Sequence, residues 1–262
     1  MPAPQGEDRS RLDGFELEIF EVVRKKATSE QWREWLRAPL EHAAAEGNTD
    51  LFMRLLDAGA DGSAGWRGCG GRTLLGAATC GKNEEMVQTL LLMAGASEDV
   101  NVCFGERRES ALHVAAVQGA HNISGSLLIA GADPQLHNAI GRTPLHVAAE
   151  EGHHRLLRLL LLKGADANGK TAGWLKLSPL YLAAMNGHTC CVSELLLGGA
   201  EKDSGDRGGR TPLFAAAAEN HLEVVTELLA ADANLHIRST TGMSALDIAA
   251  FNGNVDVLKV LL

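Results

Sequence analysis

The sequence has few aromatic residues and no long apolar run. Only 4% of its 262 residues are Phe, Trp or Tyr, whereas a compact core of this size usually holds more large rings. No stretch approaches the roughly 18 apolar residues that a membrane-spanning helix needs, and the richest, around 156–162, is broken by Arg158. The first ten residues lack the apolar segment of a signal peptide. The composition therefore disfavours a compact globular core and predicts no membrane segment.

Positive charge is also scarce. The chain carries 24 basic and 33 acidic residues, and its Lys and Arg residues are scattered singly or in pairs. A nucleic-acid-binding protein normally shows a basic stripe, because phosphate contacts dominate such binding, so no nucleic-acid partner is expected. The cysteines form no Cys-x-x-Cys pair and no disulfide framework, which favours a reducing location, cytoplasmic or nuclear. They are Cys69, Cys80, Cys103, Cys190 and Cys191.

What the sequence does contain is an internal repeat. One leucine recurs at intervals of 33 to 38 residues. The successive leucines are Leu40, Leu74, Leu112, Leu145, Leu180, Leu213 and Leu246. A glycine stands seven residues after each leucine and is replaced once, by Asn220; a second glycine closes the repeat and is replaced once, by Asp232. Asn and Asp tolerate a positive φ better than other non-glycine residues, so both exceptions fit the same backbone.

Each copy is interpreted as a pair of helices. Pro144, Pro179 and Pro212 fit the first helical position, where a missing N–H costs nothing, and the Thr or Ser before each is a favoured N-cap. The first helix carries Ala-Ala, which lets neighbouring repeats approach closely. The second carries bulky aliphatic residues at helical spacing, such as Val224 and Val225. One pair cannot bury its apolar faces alone, so the copies are expected to stack into an elongated solenoid.

Residues 141–149 (Gly-Arg-Thr-Pro-Leu-His-Val-Ala-Ala) resemble the ankyrin signature, whose T-P-L-H-x-A core repeats about every 33 residues. Parts of the signature recur at 209–213 and 55–61. The resemblance implies an all-α ankyrin-repeat solenoid of about seven repeats over residues 37–262, with the last repeat incomplete. Its structural signature residues are Thr143, Pro144, Leu145, His146, His113, Thr211 and Pro212. The two histidines are expected to bond turn backbone and a neighbouring hydroxyl rather than to bind a metal.

Repeat two departs from this pattern. It has Arg-Thr-Leu-Leu at 72–75 where the family has T-P-L-H. The interval of 14 residues between Gly81 and Gly95 predicts a second helix longer than in the other repeats. Long connections at 62–71 and 97–109 predict a kink or a protruding finger beside this repeat.

The two ends are interpreted separately from the repeats. Residues 1–36 predict a short disordered tail and two helices, at about 14–26 and 29–37, which pack on repeat one as an N-terminal cap. The alternative is a separate partner-binding helix. The final repeat stops inside its second helix at Leu262, from which we expect the chain to be part of a longer protein.

No catalytic residue, cofactor or metal site is predicted, and the chain is not expected to be an enzyme. It has no Ser-His-Asp order and no phosphate-binding glycine loop, because the glycines at 205–209 lack the Lys-Ser/Thr that such a loop needs. Adjacent helical residues point about 100° apart. By the family resemblance Cys191 faces the core and Cys190 the surface, so the pair is expected to be two packing residues.

The resemblance also implies where a partner would bind, because ankyrin proteins typically use their fingertips and the concave face of the first helices. The predicted partner-binding residues are Ile140, Arg142, Trp174, Leu175, Leu177, Met185, Arg207, Arg210, Met243 and Phe251. Apolar residues with an arginine rim are typical of protein interfaces. The alternative is that Trp174 and Leu175 fold back onto the array and cover a gap.

The expected function is therefore protein–protein interaction. We expect a monomeric scaffold, adaptor or inhibitor that binds one or more proteins. The alternative is the recognition region of a larger enzyme or receptor whose other domain lies beyond residue 262. The fold hosts many roles, so the sequence does not identify the partner.

Overall fold

The computed structural model describes residues 29–62, 67–68, 71–93 and 100–262. The helix expected at 14–26 lies outside them. The described residues form fourteen α-helices and no strand, in seven consecutive pairs. The helices are α1 Ser29–Glu46, α2 Thr49–Asp57, α3 Leu74–Cys80, α4 Glu84–Leu92, α5 Ala111–Gln118, α6 His121–Ile129, α7 Pro144–Glu150, α8 His154–Leu162, α9 Pro179–Met185, α10 Thr189–Leu197, α11 Pro212–Ala218, α12 Leu222–Ala230, α13 Ala245–Asn252 and α14 Val255–Leu261.

The pairs stack into the predicted solenoid. The first helices of the seven pairs pack in succession as an inner layer, and the second helices of repeats two to seven pack in succession as an outer layer. One apolar core runs from Leu36 to Leu261 between these layers. Small residues such as Ala148 and Ala149 are fully buried where the inner helices meet. Each fully buried leucine contributes about 2 kcal/mol, so a core shared between repeats stabilises what no single pair could.

The caps of the first helices follow the prediction. Thr143 and Thr211 have extended backbone, and each accepts a hydrogen bond at its side-chain oxygen from the N–H three residues on. Proline occupies the next position in both helices. Ser or Thr caps α3, α5, α9 and α13 in the same way. The Thr/Ser-Pro-Leu pattern therefore marks the start of the inner helix.

Helix α1 differs from the prediction. A helix ending at residue 37 was expected, but α1 runs without interruption from Ser29 to Glu46, with Pro39 inside it. The residue before Pro39 is Ala38, which cannot cap a new helix, so nothing starts one there. Leu36 and Leu40, one turn apart and both fully buried, hold the helix on the core across the proline. The expected cap helix and the first helix of repeat one are therefore a single element.

Repeat two is shifted by one residue from the sequence alignment. Helix α3 is capped by Thr73 and begins at Leu74, which places Leu74 at the proline position and Leu75 at the signature leucine. The left-handed residue seven positions later is therefore Lys82, with φ of 59°, whereas Gly81 has φ of −75°. The longer second helix was a wrong prediction, because α4 has nine residues, as α6 and α8 do.

Candidate functional site

Two buried histidines tie the start of one repeat to the finger side of the next. His146 Nδ1 accepts the backbone N–H of Thr143 at 3.2 Å and lies 2.8 Å from its hydroxyl, while Nε2 donates to the carbonyl of Gly169 at 3.0 Å. His113 makes the equivalent bonds to Ser110 and to the carbonyl of Arg142. Burial lowers the pKa of both imidazoles, that of His146 to about 4. The bonding expected of these histidines is confirmed.

In the five repeats other than three and four, the position of the signature histidine holds another residue type. It holds Glu41, Gly76, Tyr181, Phe214 and Asp247 in repeats one, two, five, six and seven. At Gly76 the place of the imidazole is filled by Phe104, because a Cβ on this glycine would lie 2.4 Å from Phe104 Cε1. Asp247 accepts a bond from the Arg238 guanidinium at 2.9 Å. The finger side of the array is therefore chemically variable.

The turn between the paired helices is more uniform. His153, His188 and His221 each precede a second helix and donate from Nε2 to a carbonyl at the end of the preceding repeat's first helix, at 2.8 to 3.1 Å. Asn83 and Asn254 donate from their amides in the same way. Repeat three has alanine at this place, and there Gln118 donates to the carbonyl of Cys80 at 2.9 Å. The sequence pattern did not indicate this contact.

Short fingers connect the repeats, and we number each by the repeat that it precedes. They are finger three (104–109), finger four (138–142), finger five (171–177), finger six (206–210) and finger seven (239–243). Backbone bonds of 2.8 to 3.0 Å link them in series, from Ala139, Ala172, Arg207 and Thr240 to carbonyls of the preceding finger. Finger five is two residues longer than finger four. Its extra length carries Trp174 and Leu175 at the tip.

The apolar tips of fingers four and five lie on the surface. Ile140 is 52%, Leu175 43% and Trp174 73% exposed. Neither residue of finger five is folded back over a gap, which was the alternative considered from the sequence. The guanidinium of Arg207 lies over the Trp174 ring, 3.7 Å from its centroid, an arrangement that fixes the ring by a cation–π interaction.

The two other predicted rim arginines have partners within the protein. Arg210 bonds the buried carboxylate of Asp206 through Nε at 2.8 Å, and the carboxylate also accepts backbone N–H groups of finger six. Arg142 pairs with Glu150 of α7, so this arginine links finger four to the inner helix. The two guanidinium groups brace the fingers, and Arg207 alone of the three stacks on an exposed apolar side chain.

Leu177 corrects the predicted surface. It was expected beside the exposed tips, but it is only 8% exposed. It belongs to a small buried cluster with Tyr181, Leu182 and Ala215, against which Met185 packs half-buried. The cluster forms because repeat five carries a tyrosine ring where repeat four carries His146, and an apolar side chain from the finger covers it. Leu177 is therefore a core residue.

The remaining predicted residues lie farther along the array. Phe251 at the end of α13 is 80% exposed, and Met243 of finger seven is half-buried. Cys191 is fully buried and Cys190 exposed, as expected. Burial raises the pKa of Cys191 to about 12. This thiol therefore stays protonated, which fits a packing residue.

A second exposed apolar row was not found from the sequence. It lies at the last residue of four successive outer helices, and we call it the outer row: Leu92, Ile129, Leu162 and Leu197. Each of the four is at least 76% exposed. A cavity of about 370 Å³ opens between Leu162 and Leu197. An apolar residue at the same place in four successive repeats, at the end of the second helix, is the sequence signal that could have indicated this row.

A family model described as ankyrin repeats matches the chain three times, at 74–171, 112–191 and 180–262. The matches together span more than half of the chain, so the chain belongs to the ankyrin-repeat family. A search of curated proteins gives no match. Ankyrin repeats are generally protein–protein interaction modules. Within the described ranges, no helix is long and apolar enough to cross a membrane, and no three His, Cys, Asp or Glu side chains could share a metal ion.

Proposed function

We propose that this chain binds a partner protein through the tips of fingers four to six and the concave face of repeats four to seven. One observation carries the proposal: Trp174 is held outward at a fingertip, 73% exposed, although the core does not need it there. Ile140 and Leu175 extend the apolar surface on the linked fingers. Residues with this chemistry, large and exposed on an ordered frame, are those that dominate binding energy at protein interfaces.

The frame around Trp174 supports the proposal. Arg207 stacks on the ring, and the Arg207 backbone N–H donates to the carbonyl of Leu175 at 2.9 Å. Both ends of finger five are closed by bonds between Thr171 and Leu177, at 2.9 and 3.0 Å. A tip ordered before binding loses little conformational entropy on binding, which leaves more of the contact energy as affinity. Burial of the remaining Trp174 surface would contribute about 2 kcal/mol.

Within this proposal the chain acts as a scaffold, an adaptor or an inhibitor, as a monomer in the cytoplasm or the nucleus. All three roles use the same step, which is the placement of a partner on the fingers. They differ only in what the bound partner then does. The site contributes no chemical step of its own, and Met185 and Phe251 would contact the partner from the inner helices.

The test is quantitative affinity capture from the native source, with the parent chain and the Trp174→Ala/Leu175→Ala variant as baits. Both side chains are exposed at the tip, so we expect the variant to keep its melting temperature and to lose most of the captured partner, about tenfold or more. A variant that unfolds at a lower temperature would show that the tip is structural.

Leu197→Ala is the matched control. Leu197 is 84% exposed, but it lies in the outer row at the end of α10 and not on a finger. Capture should be unchanged by this substitution. Loss of the partner with Leu197→Ala and its retention with the finger variant would place the binding surface on the outer row and contradict the proposal.

A further inference from the structure

The fingers carry a charge opposite to that of the whole chain. The chain has an excess of acidic residues, with a formal net charge of −9. Fingers three to six hold six basic and three acidic residues. The basic ones are Arg107, Arg108, Arg142, Lys176, Arg207 and Arg210, and the acidic ones are Glu106, Glu109 and Asp206. Positive charge is therefore concentrated where the exposed apolar tips lie.

The charges that remain available to a partner are more strongly biased. Asp206 is buried and paired with Arg210, and Arg142 is paired with Glu150. Arg107, Arg108 and Lys176 are exposed and form no salt bridge with a described residue, whereas Glu106 is the only exposed acid on these fingers. The backbone bond from Ala139 to the carbonyl of Arg107 joins the basic tip of finger three to finger four. The basic and apolar side chains thus lie on adjoining fingers.

We propose that the partner segment is acidic and carries a large apolar side chain, which seats on Trp174, Ile140 and Leu175 while its carboxylates face Arg107, Arg108, Lys176 and Arg207. This inference rests on the proposed function and names the partner's chemistry. Carboxylates opposite uncompensated basic groups steer the encounter and fix the register, and the apolar anchor supplies the affinity. A basic segment would be repelled by the charge of these side chains. It would also remove the arginine side chains from water without offering them a partner of opposite charge.

A protein segment fits these fingers better than a nucleic acid does. Nucleic-acid affinity comes mainly from many phosphate contacts along a basic track. Here three exposed basic groups and Arg207 stand beside an apolar tip, on a chain whose overall charge of −9 repels a polyanion. Isolated carboxylates around an apolar anchor match this arrangement, whereas a continuous run of phosphates does not.

The experiment selects peptides from a random library displayed on phage, with the intact chain as target. Selected peptides are resynthesised with a fluorophore and their Kd is measured by polarisation. We expect enrichment of Asp and Glu around one large apolar residue. We also expect Trp174→Ala to weaken binding, and Arg107→Glu/Lys176→Glu to weaken it about tenfold or more. The matched control is Arg155→Glu/Lys163→Glu, which makes the same change in net charge on exposed residues near the two ends of outer helix α8 and should leave Kd unchanged.

The outcomes separate the two proposals. Selected peptides that lack acidic residues, or that bind the charge-reversed variant equally well, would overturn this inference, and if they still required Trp174 the proposed binding surface would stand. Peptides that bind independently of Trp174, or no enriched peptide at all, would count against both. Competition of the peptides by an oligothymidylate at lower concentration would show that the fingers prefer phosphate, which also overturns the inference.

Discussion

The turn side and the finger side of this array hold the same repeats together by different means. At the turn, five of the six junctions use a His or Asn side chain before the second helix, and the sixth uses Gln118. All six donate to a backbone carbonyl of the preceding repeat. On the finger side, the signature position changes from His146 to Tyr181 and Phe214 within three repeats. One side is constant and the other is variable.

The difference shows which contact sets the spacing of the solenoid. A carbonyl at a helix end has the same position in every repeat, so one donor geometry serves all junctions and any long polar side chain can supply it. On the finger side, backbone hydrogen bonds already join fingers three to seven. The signature position there only requires a filled space, which an imidazole, a ring or Phe104 against Gly76 can provide. Variation is therefore tolerated beside the fingers, where the candidate surface lies.

The largest change in the free energy of unfolding should come from disrupting a hydrogen bond on the turn side, which is the constant side. Gly152 has φ of 79°, and a Cβ there would lie 2.7 Å from His188 Nδ1. Gly152→Ala must therefore adopt an unfavourable backbone and displace the imidazole that bonds Glu150. We expect a loss of about 3 kcal/mol in the free energy of unfolding, from the strained φ and the lost hydrogen bond together. Urea unfolding of the parent and the variant measures it.

Gly253→Ala is the control for that measurement. Gly253 has nearly the same φ, 74°, but none of the described residues lies within 4 Å of the added Cβ. Only the backbone cost should appear, about 1 kcal/mol. Equal losses in the two variants would show that the imidazole at the turn does not set the approach of neighbouring repeats.

Acidification should cause a somewhat smaller loss in the free energy of unfolding. This loss should arise on the finger side, which is the variable side. His146 is fully buried, and its pKa of about 4 lies below the ordinary value of 6.5. Between these values the unfolded chain binds a proton that the folded chain does not. The stability contributed by neutral His146 is therefore complete above pH 6.5 and is lost as the pH falls towards 4, by an amount of roughly 2–3 kcal/mol.

His146→Gln isolates this contribution, because the amide can still bond Thr143 and Gly169 but does not titrate. Urea unfolding at several pH values should give a shallower loss of stability between pH 6.5 and 4 in the variant than in the parent. His113 remains in both proteins, and burial lowers its pKa too, so some slope should persist. Parallel pH profiles would mean that His146 contributes nothing to the acid response.

The periodicity of the sequence was sufficient to predict the paired helices and their caps, and the resemblance to the ankyrin signature implied the bonding of His113 and His146. The helix pairs and their caps depend on a few neighbouring residues that recur from repeat to repeat, so the sequence alone is sufficient to predict them. Register in repeat two was harder, because Leu74 and Leu75 are adjacent and either fits the spacing. The structure resolves the ambiguity by the cap at Thr73.

The candidate site was less predictable, because exposure depends on contacts between repeats. Leu177 and Leu175 look alike in the sequence, but Tyr181 of the following helix buries one and leaves the other on the surface. The outer row stayed unnoticed because its residues continue the apolar pattern of the outer helices. Only the end of each helix places them outside the core.

The smallest effect should come from making repeat two more regular on the constant side. Lys82 occupies the left-handed position with φ of 59°, where most repeats have glycine. Lys82→Gly removes the cost of this conformation, about 1 kcal/mol, but raises the entropy of the unfolded chain, so we expect a net gain of about 0.5 kcal/mol. Lys82→Ala keeps the strained φ and should give no gain. A loss of stability with glycine but not with alanine would contradict this expectation. The Lys82 side chain would then have a role at this junction that its exposed position does not indicate. The turn side would also be less uniform than its hydrogen bonds imply.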